Sequence, residues 1–217
     1  MTLPPQDSHF SELRRRMVES QLRSRGITDE RVLSAMSRVP RELFTPERYR
    51  EQAYEDHPLA IGAGQTISQP YIVALMLEAL AIQPRDRVLE VGTGSGYVTA
   101  ILAEMGADVI SVERHTILAD QARELLKRLG YEGVTVLARD GSQGVPEFAP
   151  YDVILVSAAA EVLPRALVDQ LVEGGRMMVP VGFDDSQQLQ LIRMSNGQPE
   201  IQMRELCRFV PLLEGRE

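Results

Sequence analysis

The chain has 217 residues, 44% of them hydrophobic and 25% charged, with a formal net charge of -8. Those fractions belong to a folded globular protein and exclude a disordered, collagen-like or coiled-coil chain. The acidic balance argues against nucleic-acid binding, which needs a net basic face to displace counterions.

The charge is unevenly spread: residues 1–60 hold 10 basic and 10 acidic side chains, so the whole -8 lies beyond them. Of the 23 basic residues, 22 are Arg and one, Lys127, is Lys. Cys207 is the single cysteine, so no intrachain disulfide forms, which suits a reducing compartment. The longest apolar stretch, Ile72 to Ile82, is interrupted by Glu78 and is too short to span a bilayer. The N-terminus has no apolar core of a signal peptide. A soluble, cytoplasmic protein without membrane partners is expected.

In chain order, the first 60 residues read as helices. Phe10, Leu13, Met17, Val18 and Leu22 recur at helical spacing after a cap at Ser8 or Ser11, and Gly26 ends the run. Thr28 is the expected cap of a second helix, with Val32, Leu33 and Met36 on one face and Pro40 as its stop. A third short helix is expected from Glu47 to about Gln52. Residues 55–70, with Pro58, Gly62 and Gly64, read as a shaped loop rather than a strand. A helix follows from Pro70 to about Leu80, because Pro suits a first turn.

From Arg87 the rhythm changes to strand–helix alternation. Strands are expected at 88–91, 108–113, 134–138, 152–157 and 176–181, the last after a Gly174–Gly175 turn. Helices are expected from Tyr97 to Met105, from the end of the second of these strands to Leu129, and near Pro164. This alternation predicts a doubly wound α/β fold with a mostly parallel sheet covered on both faces. Two alternating runs, Gln188 to Met194 and Ile201 to Val210, flank Asn196–Gly197, a hairpin signal that predicts antiparallel strands at the end of the sheet.

The strongest local motif is VLEVGTGSGY at 88–97. A strand runs into Gly92, Gly94 and Gly96 and then into a helix, a loop whose backbone can approach a ligand. The spacing is Gly-x-Gly-x-Gly; the dinucleotide fingerprint would need glycine where Tyr97 stands, and no Walker Lys follows. Glu113 closes the next strand, where an acidic residue accepts hydrogen bonds from ribose hydroxyls. Asp140, after the third strand, can accept from an adenine amino group, and Glu90 can face a cationic ligand. An adenosine-bearing ligand that is positive where NAD is negative fits this set, and S-adenosylmethionine is such a ligand. Each residue also has an ordinary role, as a turn or strand-end residue. His57 and His115 lack metal-ligand company and read as loop and helix-start residues, so no metal site is expected, and Cys207 reads as a small buried hydrophobe.

The chain resembles the protein-L-isoaspartate O-methyltransferases, class I S-adenosylmethionine-dependent enzymes. The resemblance rests on AGQTISQPY at 63–71, VLEVGTGSGY at 88–97, SVER at 111–114, Asp140-Gly141, GGRMMVPVG at 174–182 and RFVPL at 208–212. The glycine motif is shared by many methyltransferases, whereas the GQTISQP segment lies outside the generic fold and is more specific. The chain is expected to form one domain, a Rossmann-like methyltransferase core at 61–217 with a helical cap at 1–60, and to be a monomer. It implies transfer of a methyl group from S-adenosylmethionine to the α-carboxyl of L-isoaspartyl residues in damaged proteins and peptides. The ester then closes to a succinimide that can reopen to aspartate, and S-adenosylhomocysteine is the other product. By the same resemblance Ser68 is the active-site serine, and Ile67 and Val210 join it near the isoaspartyl group. Thr66, Glu90, Gly92, Thr93, Gly94, Ser95, Gly96, Glu113, Arg114, Asp140 and Gly141 form the cofactor set. The chain departs from the family at Arg139, where members commonly carry Gly, and at Ser142, often aromatic in bacterial members. Two other readings stand beside this one: a class I methyltransferase with a different small-molecule substrate, and a cofactor-binding protein without catalysis. The intact GQTISQP segment favours the repair enzyme.

Overall fold

The computed structural model describes residues 8–183 and 186–215, so the first seven residues of the expected 1–60 cap and the last two of the chain lie outside the described residues. Seven strands form one sheet in the order β5-β4-β3-β6-β7-β8-β9. Strands β3 (Arg87–Val91), β4 (Asp108–Glu113), β5 (Thr135–Ala138), β6 (Tyr151–Val156) and β7 (Leu171–Val181) run parallel, and β8 (Gln187–Ser195) and β9 (Gln198–Cys207) close the sheet antiparallel. The fold is the expected Rossmann-like α/β sheet. From β3 the chain winds outward through β4 and β5, then returns to place β6 on the other side of β3. That reversal opens a crevice at the carboxyl ends of β3 and β6, the position where such sheets bind ligands.

The central strands are buried on both faces. Val88, Leu89, Glu90 and Val91 are all buried, as expected for a parallel strand with helices on either side. Helices α4 (Tyr97–Glu104) and α5 (Thr116–Arg128) pack beside β4, and α3 (Pro70–Leu80) lies against β7. Pro70 sits in the first turn of α3, and Val73, Ala74, Met76, Leu77 and Leu80 are its buried residues. Each fully buried aliphatic side chain of this size contributes roughly 1.5–3 kcal/mol.

The N-terminal region packs onto the same core. In α1 (Ser8–Arg16) and the π-helical turn Met17–Leu22 that continues it, Met17, Val18 and Leu22 are buried, and Gly26 ends the run in the left-handed region at φ 95°. In α2 (Glu30–Arg38), Val32, Leu33 and Met36 are buried as the spacing predicts. Its cap is Asp29 and not Thr28: Asp29 Oδ1 accepts from Arg31 N at 2.8 Å. The Thr28 and Asp29 N–H groups both donate to Glu78 Oε1 of α3, at 2.6 and 2.7 Å, which ties the cap to the core. The third short helix lies at Glu47–Gln52 but is 3-10 in form. A further 3-10 turn, Arg41–Phe44, gave no signal in the sequence pattern.

Three other expectations change. The loop at 55–70 contains a hairpin, β1 (Leu59–Gly62) with β2 (Gln65–Ile67). Ala63 and Gly64 turn between them at φ 49° and 69°, as a tight hairpin requires, and strands this short show no alternation. Strand β7 starts at Leu171, so Gly174–Gly175 is a bulge within it rather than a turn before it: Tyr151 pairs Leu171, but Val153 pairs Arg176. Strand β9 stops at Cys207, so Val210 is not in a strand. The chain instead leaves the sheet and crosses toward the end of β6, where Ala159 N donates to Val210 O at 2.8 Å and Leu212 N donates to Ala159 O at 2.7 Å.

Candidate active site

A cavity of about 250 Å³ opens at the carboxyl ends of β3, β4 and β6. Its floor is the glycine loop. Gly92, Gly94 and Gly96 hold φ of 97°, 53° and 87°. Gly96 is the N-cap of α4, where its φ excludes most side chains and a Cβ would press on Ala122 and Leu126 at 3.3 Å. Gly92, Thr93, Gly94 and Ser95 line the cavity directly, and Gly96 does not.

Glu113 closes β4 on the cavity wall. Its Oε2 accepts from Gly94 N at 2.9 Å and its Oε1 from His115 N at 3.0 Å. Each carboxylate oxygen keeps acceptor capacity beyond one bond, so the pair can still take two hydroxyl donors. Arg114 and Gly141 also line the cavity. Gly141 must be glycine, because a Cβ there would lie 2.6 Å from Val112 Cγ2 and 2.8 Å from Val91 Cγ1.

Asp140 stands just outside the lining. Its Oδ1 accepts from Ser142 N at 2.8 Å and its Oδ2 from Gly215 N at 2.7 Å, while Arg114 Nε donates to Gly215 O at 3.1 Å. Burial works to raise the Asp140 carboxyl, but the Gly215 and Ser142 N–H donors outweigh it and hold the group below its ordinary range. Arg139 turns away to pair with Glu147 at the surface, and Ser142 is buried outside the cavity lining. Neither departure from the family pattern enters the cavity.

Glu90 is placed differently from the sequence expectation. Its side chain is fully buried beneath the loop and does not line the cavity. Oε2 accepts from Thr99 Oγ1 at 2.5 Å and from Ser111 Oγ at 2.7 Å, and Ser111 Oγ reaches Thr93 Oγ1 at 2.5 Å. Burial pushes its carboxyl up to about 7, so it is a weak counter-charge and acts instead as a prop under the loop.

The opposite wall comes from the hairpin segment, with Thr66, Ile67 and Ser68. Ser68 is not the cap of α3: that position is Gln69, with no side-chain capping bond. Asp56 takes over this work from outside the helix. Its Oδ1 accepts from Tyr71 N at 3.1 Å, its Oδ2 accepts from Gln69 Nε2 at 2.8 Å, and Arg25 pairs with it. Ser68 lines the cavity, and its carbonyl accepts from Arg41 Nη2 at 2.8 Å. Val210 and its neighbours in the crossing segment form the third wall.

Some lining residues were not anticipated. His115 reaches Gln65 at 3.3 Å across the cavity. Ser157 follows β6, where the strand-end rule alone would have found it. Tyr97, expected only as the start of a helix, lines the cavity as well. Cys207 is half-buried on the wall, its thiol pushed up to about 11 by burial, so it is no nucleophile at neutral pH.

A family model for protein-L-isoaspartate(D-aspartate) O-methyltransferase matches residues 13–217. The chain belongs to this family. A protein-L-isoaspartate O-methyltransferase of Koribacter versatilis is 52% identical over 213 residues, 98% of this chain and 96% of that protein. A solved structure from Plasmodium falciparum, described as a protein-L-isoaspartate O-methyltransferase in complex with S-adenosyl-L-homocysteine, is 30% identical with a TM-score of 0.81, and the match covers 96% of this chain and 99% of that one. A second solved protein-L-isoaspartate O-methyltransferase is 32% identical with a TM-score of 0.81; it covers 91% of this chain, which spans 65% of its length.

Proposed function

We propose that the chain is a protein-repair methyltransferase that moves the methyl group of S-adenosylmethionine to the α-carboxyl of L-isoaspartyl residues in damaged proteins and peptides. The observation that carries this reading is the meeting of two loops on one cavity, the glycine loop with Glu113 and the hairpin segment with Ser68. When bound, S-adenosylmethionine supplies an electrophilic methyl on a sulfonium.

Glu113 is placed to accept the ribose hydroxyls. Gly92, Thr93, Gly94, Ser95 and Gly96 form the cradle beneath the cofactor. Asp140 and Gly141 mark the adenine end, which Asp140 reaches once the Gly215 N–H gives way. Thr66 and Arg114 border the same space. Glu90 supports this site from below without touching it.

The substrate group needs no base. An α-carboxyl titrates near ~3.5 and is already an anionic nucleophile at neutral pH. Catalysis is then mostly positioning, which can be worth roughly 7–11 kcal/mol. The Ser68 hydroxyl orients the carboxylate, with Ile67 and Val210 packing beside it. Ser68 forms no covalent intermediate, because its hydroxyl has no hydrogen-bonded base beside it among the described residues.

We read the helical region as a cap on the same domain, because Met17, Leu22 and Met36 share one core cluster with Leu77 and Ile101. We also read the protein as a cytoplasmic monomer, which light scattering and cell fractionation test. No described helix is long and apolar enough to cross a membrane. The experiment for the function is methyl transfer to an isoaspartyl peptide beside its normal aspartyl twin. Transfer to the isoaspartyl form alone is expected; cofactor binding with no such transfer would reject the reading.

A further inference from the structure

Arg41 is the most unusual charge in the molecule. It lies in the 3-10 turn Arg41–Phe44 of the cap and is fully buried. Nε donates to Ala53 O at 2.6 Å, Nη2 donates to Ser68 O at 2.8 Å, and Nη1 has no partner. None of its donors reaches a carboxylate. The guanidinium also lies over the Tyr97 ring, 4.8 Å from its centroid, and the buried Tyr97 hydroxyl makes no hydrogen bond to any described residue. Ser68 and Tyr97 both line the cavity.

Buried charges are normally paired, because desolvating an isolated ion is costly. The other deeply buried Arg follows that rule: Arg14 bonds the Tyr54 hydroxyl at 2.8 Å and Glu42 at 3.4 Å. Of the groups that favour the Arg41 charge, Tyr97 and Tyr54 act most, and the carboxylate among them, Asp56, is already engaged by Arg25, Gln69 and Tyr71. Burial lowers the Arg41 pKa, yet a guanidinium stays protonated in proteins. A positive charge without its own carboxylate thus sits directly behind the Ser68 wall.

We propose that Arg41 is a positioning residue for the substrate, clamping the Ser68 backbone from behind while its uncompensated charge draws the isoaspartyl α-carboxylate to the Ser68 side of the cavity. This rests on the assignment of that side to the substrate. Acting from behind the wall, Arg41 attracts the carboxylate without bonding the oxygen that must accept the methyl. Methylation turns the carboxylate into a neutral ester, so the attraction ends when transfer is complete and the product is released more readily than the substrate.

The test uses the full chain with S-adenosyl-L-homocysteine present. Calorimetry measures an isoaspartyl peptide and the same peptide with its α-carboxyl replaced by a carboxamide. The wild type is expected to favour the carboxylate by about tenfold or more, as for a buried charge acting through a low-dielectric wall. Arg41→Met is expected to weaken the carboxylate peptide more than the carboxamide one, so that the preference is lost. Should Arg41→Met fail to fold, Arg41→Gln carries the test: its amide can still donate to the Ser68 carbonyl but carries no charge, and it is expected to lose the preference. Equal weakening of both peptides in Arg41→Met, or a preference that survives in Arg41→Met or Arg41→Gln, would overturn the proposal. Failure of the functional reading looks different, because the wild type itself would then not methylate the isoaspartyl peptide.

Discussion

The glycine loop at 92–96 and the serine segment at 63–69 border one cavity, yet they are held in place by opposite means. The glycine loop is held locally: its own backbone turns into α4, and Glu113, Ser111 and Glu90 on the adjacent strands brace it. The serine segment is held remotely. Arg41, Asp56 and Arg25, all from the first 60 residues, fix its backbone and the start of α3. The sheet thus braces the glycine loop from within, while the serine segment depends on the first 60 residues. This also gives part of the Arg-rich cap a structural use, since Arg14, Arg25 and Arg41 bond the polypeptide around Ser68 or the cap itself.

The division can be broken from either side. The largest effect is expected at Glu113→Ala, which removes the proposed ribose acceptor and the anchor of Gly94 N. Cofactor affinity should fall roughly 100-fold, the scale of lost bonds to a charged group. Unchanged affinity by calorimetry would separate Glu113 from the ribose.

Glu90→Gln comes next and concerns pH. The Glu90 carboxyl is raised from its ordinary 4.5 to about 7, so between those values the folded protein holds a proton that the unfolded chain has lost. Its contribution is therefore fully present below pH 4.5 and is lost as pH rises through about 7. Gln mimics the protonated form. Relative to wild type, Glu90→Gln should gain roughly 1–3 kcal/mol of stability between pH 5 and pH 8. Parallel denaturant curves at the two pH values would contradict this.

Asp56→Ala removes the group that serves as the α3 cap. Such a loss costs about 1–2 kcal/mol, read as a shift of several degrees in Tm. Cofactor affinity should not move, because no glycine-loop residue bonds Asp56 among the described residues. Weaker cofactor binding in this variant would blur the distinction between the two loops.

The same contrast explains what was legible in the sequence. The sheet, its antiparallel end and the α3 boundaries Pro70 and Leu80 could be read because their signals are local: apolar runs, glycines, Pro at a first turn and Asn-Gly at a hairpin. Glu113 and Gly141 line the cavity, as the strand-end rule predicts. Glu90 was misplaced because a carboxylate before the loop reads alike whether it faces the cavity or the interior. Thr28 lost the cap to Asp29 through a tertiary bond to Glu78, and strand β9 stopped short of Val210 because the chain turns to bond Ala159. Arg41 carried no local signal, since its partners Ala53 and Ser68 lie 12 and 27 residues away. Remote support of this kind appears only once the chain is folded.

On the proposed function, Ser68 serves the substrate and not the cofactor. The direct measurement is Ser68→Ala, with kcat on an isoaspartyl peptide and calorimetric affinity for S-adenosyl-L-homocysteine taken on the same preparation. A fall in kcat of roughly fivefold to tenfold, the scale of one orienting hydrogen bond, with unchanged cofactor affinity is predicted. Equal losses in both would place Ser68 in the support of the whole cavity and contradict the division between the loops.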